Sequence, residues 1–122
     1  MRRASVLASL GLFVAPFAWL GQHLVGQAAS TASCSPANGT WGMSNTAWQI
    51  GLLVGAGVLI LLAEAAAVAA YRSTRSGDYE SAPPLGRIQL VSVASMCTNL
   101  LFLVIVLLDG IASIVDIACR QS

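Results

Sequence analysis

The sequence predicts an all-α membrane protein with three transmembrane helices, and three observations predict it. The chain of 122 residues is 57% hydrophobic and only 9% charged, where a soluble domain carries roughly 25% charged residues. It contains three apolar runs, Ala4–Gly26, Trp48–Tyr71 and Ile88–Leu108, each close to the ~20 residues that cross a bilayer at ~1.5 Å per residue. The stretches between them are rich in Ser, Thr, Gly, Pro and Asn, which break helices and favour turns. Residues 1–122 therefore read as a single membrane domain, with helices over about 4–27, 45–71 and 88–110 joined by loops 28–44 and 72–87.

The composition also excludes functions. Six arginines, no lysine and five acidic residues leave a net charge of +1. A nucleic-acid binder needs a cationic face, which this chain does not have, and a charged disordered tail is equally unsupported. The partners expected are the lipid bilayer and larger membrane-protein subunits, with no nucleic acid.

The first run follows Met1-Arg2-Arg3. Basic residues ahead of an apolar helix favour a cytoplasmic N-terminus. The small-residue sites Ala28-Ala29-Ser30 and Ser30-Thr31-Ala32 would suit a signal peptidase, but the run is longer than a usual signal core and carries Pro16, Trp19, Gln22 and His23. Retention is the reading adopted. The loop 28–44 then lies outside; Asn38-Gly39-Thr40 within it has the form of a glycosylation sequon.

The second run holds one carboxylate, Glu64, and a Gly51-x-x-x-Gly55 pair followed by Gly57. Small residues let a second helix approach closely, with Ala63, Ala66 and Ala70 extending the ridge. The helix that meets this ridge belongs either to this chain or to a partner. Glu64 lies about 9 Å from the inner end of its helix by residue count. Ser9, Ser92 and Ser95 are expected at a similar depth, where a protonated Glu64 would donate to one of their hydroxyls. Intramembrane acids often relay protons; the alternative is a hydrogen-bonded packing residue.

Arg72, Arg75 and Arg87 flank the second loop, so five of the six arginines fall on one side of the predicted topology and only Arg120 on the other. That asymmetry predicts an N-terminus in the cytoplasm and a C-terminus outside. The third run carries Ser92, Ser95 and Asn99 on one face, a stripe suited to hydrogen bonding across a helix interface and expected, with Gly51 and Gly55, to pack against larger subunits. Asp109 follows in a weaker amphipathic tail, reaching the depth of His23 in the first helix, so a His23–Asp109 contact is expected to be feasible. His23, as a lone histidine, is also the candidate ligand for a haem or pigment; no cofactor is otherwise expected. Asp109 and Asp116, seven residues apart, would present a small acidic patch.

Cys34 and Cys119 both fall outside in this topology. In an oxidising compartment they would pair, closing a loop of about 85 residues worth up to roughly 4–5 kcal/mol on a chain-entropy basis; the alternative is two free thiols. Cys97 lies mid-membrane as a small apolar residue. The sequence shows no nucleotide loop, nucleophile elbow or zinc signature, so an enzyme is not expected.

The segment Pro16-Phe-Ala-Trp19-Leu-Gly-Gln22-His23-Leu-Val-Gly26, with Cys34 after it and Leu101-Phe-Leu-Val-Ile-Val-Leu-Leu-Asp109-Gly110 ahead of Cys119, resembles small bacterial multi-helix membrane proteins encoded beside haem-copper cytochrome oxidase or alternative complex III genes. That resemblance implies an accessory or assembly role beside a respiratory electron-transfer complex in the bacterial cytoplasmic (inner) membrane, with no catalytic residues to carry over. Two other functions remain open: a homo-oligomeric proton or ion conductor built on Glu64, and a cofactor-binding subunit built on His23.

Overall fold

A computed structural model of the chain describes residues 2–34, 44–76 and 85–115. Three helices account for nearly all of these: α1 (Arg2–Ser33), α2 (Asn45–Thr74) and α3 (Leu85–Val115). Each is long and apolar enough to cross a membrane. The helices pack up, down and up, and every pair is in contact.

All three helices run past the boundaries expected from hydropathy. Residues 28–33 continue α1, and two of their hydroxyls bond back to the preceding turn. Thr31 Oγ1 donates to the Gln27 carbonyl at 2.9 Å and Ser33 Oγ to the Ala29 carbonyl at 2.9 Å, leaving no polar group of theirs unsatisfied. α2 starts after Ser44, an N-cap with extended backbone whose hydroxyl accepts from the Ala47 amide at 3.2 Å. The expected weak tail after Asp109 is instead the last part of α3, which is unbroken to Val115.

The distribution of side chains inverts that of a soluble protein. Large apolar groups point outward, among them Phe17, Leu62, Leu101 and Leu108, each more than 60% exposed. The interior is lined by alanines, Ala4, Ala8, Ala15, Ala29, Ala56, Ala63, Ala67 and Ala70, together with Ile60, Ile88 and Val106. In water this arrangement would expose far more apolar surface than a monomer tolerates. In lipid it is the expected one, because tails are as apolar as leucine and association depends on close backbone approach. The chain is a multi-pass membrane protein.

One end of the bundle is formed by the start of α1, the end of α2 and the start of α3, sealed by Ala4, Ala8, Ala70 and Ile88. Arg2, Arg3, Arg72, Arg75 and Arg87 all lie exposed at this end. The other end, marked by Cys34 and Ser44, holds most of the polar side chains considered below.

The seam between helices depends on three glycines. A Cβ on Gly11 would come within 2.9 Å of the Ala67 Cβ and 3.2 Å of the Ala63 carbonyl oxygen; one on Gly110 would come within 2.6 Å of Leu53 Cδ1; one on Gly26 would meet Gln49 Oε1 at 3.0 Å. The Gly51/Gly55 pair has no such role. Both are exposed, and a Cβ on either, or on Gly57, would meet nothing within 4 Å. The α2 face that does pack inward is Ala56-Ile60-Ala63-Ala67-Ala70, so only Ala63 and Ala70 of the expected ridge are buried in it. A GxxxG spacing identifies a smooth helix face; it does not fix which way that face turns.

Candidate functional site

Polar groups inside an apolar bundle are costly unless partnered, and three glutamines meet that requirement with a backbone carbonyl of a neighbouring helix. Gln89 Nε2, near the arginine end, donates to the Thr74 carbonyl. At the Cys34 end, Gln49 Nε2 donates to the Gly26 carbonyl at 3.1 Å, with Ser30 Oγ at 3.2 Å and Asn45 Oδ1 at 3.3 Å also in reach. Gln22 Nε2 donates to the Val106 carbonyl at 3.3 Å. All three side chains are at most 5% exposed. Sequence reasoning passed over Gln49 and Gln89, although a glutamine within or beside an apolar run is itself the signal, since its amide must find a partner there.

The Cys34 end also brings together the histidine and the acid expected to meet. His23 Nδ1 lies 3.5 Å from Asp109 Oδ2, with the side chains 43% and 32% exposed. Trp19 stacks on the imidazole, ring centroids 5.7 Å apart and planes 21° from parallel, and the Phe102 ring lies 6.0 Å from Trp19, tilted by 50°. The indole thus fixes one face of His23 while Asp109 addresses Nδ1. Asp109, like Glu64 expected from the sequence as a buried polar residue, is half-buried, at the Cys34 end of the bundle.

Beside this pair is a polar cavity of about 30 Å³, lined by residues of all three helices including Gln22, Gly26, Ser30, Gln49, Asp109 and Ser113. It accommodates water-sized bodies, a single water needing about 10–15 Å³ on this measure. A tetrapyrrole does not fit in it, so a haem held by His23 would have to lie on the outer, lipid-facing side of the bundle. Among the described residues, no group of three or more His, Cys, Asp or Glu side chains could hold a metal ion.

Glu64 is half-buried mid-helix and pairs with Asn99, whose Nδ2 donates to Glu64 Oε2 at 3.2 Å. The partners expected from depth do not meet it. Ser9 is exposed and donates to the Ser5 carbonyl at 3.0 Å; Ser92 and Ser95 donate to their own helix, at the Ile88 and Val91 carbonyls, both at 2.7 Å. Counting residues gives depth but not rotation about the helix axis, and rotation decides the pairing. Asn99 Oδ1 is buried with no donor among the described residues.

The Ser92/Ser95/Asn99 stripe is accordingly not a docking surface. All three residues are at most 1% exposed within this chain; Asn99 meets Glu64 of α2, and the small Ser92 and Ser95, bonded to their own helix, allow close helix approach. Cys97 is exposed on the opposite face of α3 as a free cysteine. Cys34 closes α1 in a turn, but Cys119 lies outside the described residues, as do Asn38, Asp116 and Arg120, so the expected Cys34–Cys119 pairing and the acidic patch are not described. No protein-family model matches this chain, and comparison with curated proteins and with solved structures gives no match either.

Proposed function

We propose that this chain is a non-catalytic accessory subunit that docks against a larger membrane protein through the glycine face of α2. The observation that carries this reading is the open surface around Gly51, Gly55 and Gly57, where an added Cβ would touch nothing. Three glycines in one stretch lower helix propensity and do nothing for packing within the bundle. They leave a shallow groove between the exposed side chains of Ile50, Val54 and Val58, which suits the close approach of another helix.

The sequence resemblance noted above supports a respiratory electron-transfer complex, of the cytochrome oxidase type, as the host. The five arginines at one end of the bundle support an orientation with that end in the bacterial cytoplasm and the Cys34 end outside, where a Cys34–Cys119 disulfide would form in an oxidising compartment.

The test is a pull-down from native membranes in mild detergent through a cytoplasmic N-terminal tag, comparing the wild-type chain with a Gly51→Leu/Gly55→Leu variant. Stoichiometric oxidase or quinol-dehydrogenase subunits should accompany the wild type and be lost from the variant. Recovery of the chain alone, as a homo-oligomer, would sink the reading and move ion conduction at Glu64 to the front.

A further inference from the structure

Arg2, Arg3, Arg72, Arg75 and Arg87 come from three helices but are gathered in one place, all of them exposed. Ala4 of α1, Ala70 of α2 and Ile88 of α3 pack in a single buried cluster, and each lies within two residues of at least one of these arginines. The Gln89 amide, donating to the Thr74 carbonyl, ties the end of α2 to the start of α3 beside Arg75 and Arg87.

No described carboxylate neutralises this charge. Among the described residues the ion pair found is His23–Asp109, at the other end, and Glu64, eight residues before Arg72, accepts from Asn99. Asp78 and Glu80, in the stretch between α2 and α3, are outnumbered by the five arginines. Helix dipoles do not account for the placement either. Arg2, Arg3 and Arg87 stand in the first turns of α1 and α3, with no acidic residue there, where the macrodipole disfavours a cation. Sidedness of insertion explains which end arginines take, but it leaves their charge unmatched once they are there.

We propose that this end of the bundle binds anionic phospholipid, the guanidiniums holding the headgroup phosphate while the acyl chains lie along the apolar flanks of α1 and α3. Guanidinium chemistry chooses phosphate. The cationic side chains here are all arginine, in a chain with no lysine, and the planar fork of arginine matches two phosphate oxygens at once. The apolar flanks choose lipid over a free phosphate. Val6 and Leu10 follow Arg2 and Arg3 on α1, Leu90 follows Arg87 on α3, and these three side chains are between 48% and 64% exposed. At ~1.5 Å per residue they lie about 5–12 Å along the helix from the arginines, where an acyl chain runs beneath its headgroup.

The experiment is electron paramagnetic resonance of spin-labelled lipids in phosphatidylcholine bilayers reconstituted with the full chain. Spin-labelled phosphatidylglycerol and phosphatidylcholine are compared by the fraction immobilised on the protein. An arginine beside an anionic headgroup is worth about fivefold in association, so the wild-type chain should hold phosphatidylglycerol at least about fivefold more strongly. The preference should vanish when all five arginines are replaced by glutamine. It should persist in Asp109→Asn, which alters the opposite end. Soluble glycerol phosphate at the same concentration should not displace the lipid.

Equal immobilisation of the two lipids would overturn the proposal, as would an unchanged preference in the five-arginine variant. Displacement by glycerol phosphate would assign the arginines to a free phosphate instead. Capture of soluble deca-glutamate in place of the lipid would assign them to an acidic protein segment, and either result overturns the lipid reading. If the five-arginine variant does not fold by circular dichroism, salt decides on the wild type. The preference must fall between ~0.1 M and ~1 M sodium chloride, as the screening length shrinks from about 10 Å to about 3 Å; a preference indifferent to salt overturns the proposal.

Discussion

Replacing Gly11 by alanine tests the central packing argument. A Cβ at Gly11 would sit 2.9 Å from the Ala67 Cβ, 3.2 Å from the Ala67 Cα and 3.2 Å from the Ala63 carbonyl oxygen. None of these atoms can rotate away, so α1 and α2 must separate by a few tenths of an ångström along a seam with no slack. Overpacking of this kind costs about 1–3 kcal/mol, roughly a 5- to 150-fold shift in the unfolding equilibrium, while the higher helix propensity of alanine offsets up to ~1 kcal/mol. Gly21 lies on the same helix with nothing within 4 Å of an added Cβ, so Gly21→Ala carries the propensity gain without the clash. Reversible unfolding in bicelles, followed by steric trapping, should place Gly11→Ala below Gly21→Ala by about 1–3 kcal/mol. Stabilities within about 0.5 kcal/mol of each other, the scatter of neutral surface changes, would refute the close α1–α2 approach.

Further outcomes follow from the polar contacts and from the cysteines. Asn99→Val should destabilise the bundle by roughly 0.6 kcal/mol, the average for interhelical hydrogen bonds in membranes, and by no more than about 1.7 kcal/mol, the largest such value, whereas Glu64→Gln keeps a partner for Asn99 and should be near neutral in the same unfolding assay. Proton flux in reconstituted vesicles should be the same for Glu64→Gln and wild type; loss of flux would restore the relay reading. The His23–Asp109 pair, with both partners partly exposed, should be worth no more than about 1 kcal/mol, measured as the coupling energy in a His23→Ala/Asp109→Ala double-mutant cycle. Non-reducing peptide mass spectrometry should recover a Cys34–Cys119 pair, and alkylation of both thiols in the untreated protein would show them free.

The number, order and approximate depth of the helices were legible in the sequence because hydrocarbon thickness sets run length and because Gly, Pro, Ser and Asn interrupt the runs. The His23–Asp109 meeting followed from depth alone, since both residues lie near the same end. What depth could not give was rotation. Lipid and bundle interior are equally apolar, so a helix carrying leucines on every side does not announce which face turns inward. For that reason Gly51 and Gly55, which satisfy a packing motif, face outward, while Gly11 and Gly110, which fit no short motif, mark the real seam. The same ambiguity gave Glu64 a serine partner by count and Asn99 in the structure. Gln22, Gln49, Gln89 and Asn99 all turn inward and were the better guides, while Gln27, past the end of the first apolar run, is exposed.

The three glutamines also set an order for membrane insertion. Gln49 is satisfied by Gly26 of α1 and Gln89 by Thr74 of α2, each on the helix made just before it, so both amides enter the bilayer with an acceptor already waiting. Gln22 takes its acceptor from Val106, 84 residues downstream. At a synthesis rate of ~5–20 residues per second, the first helix waits roughly 4–17 s for that carbonyl to emerge. Through this interval its amide must remain in water or in the care of the insertion machinery. Of the three amides, Gln22 is thus the last to reach its carbonyl, when α3 arrives.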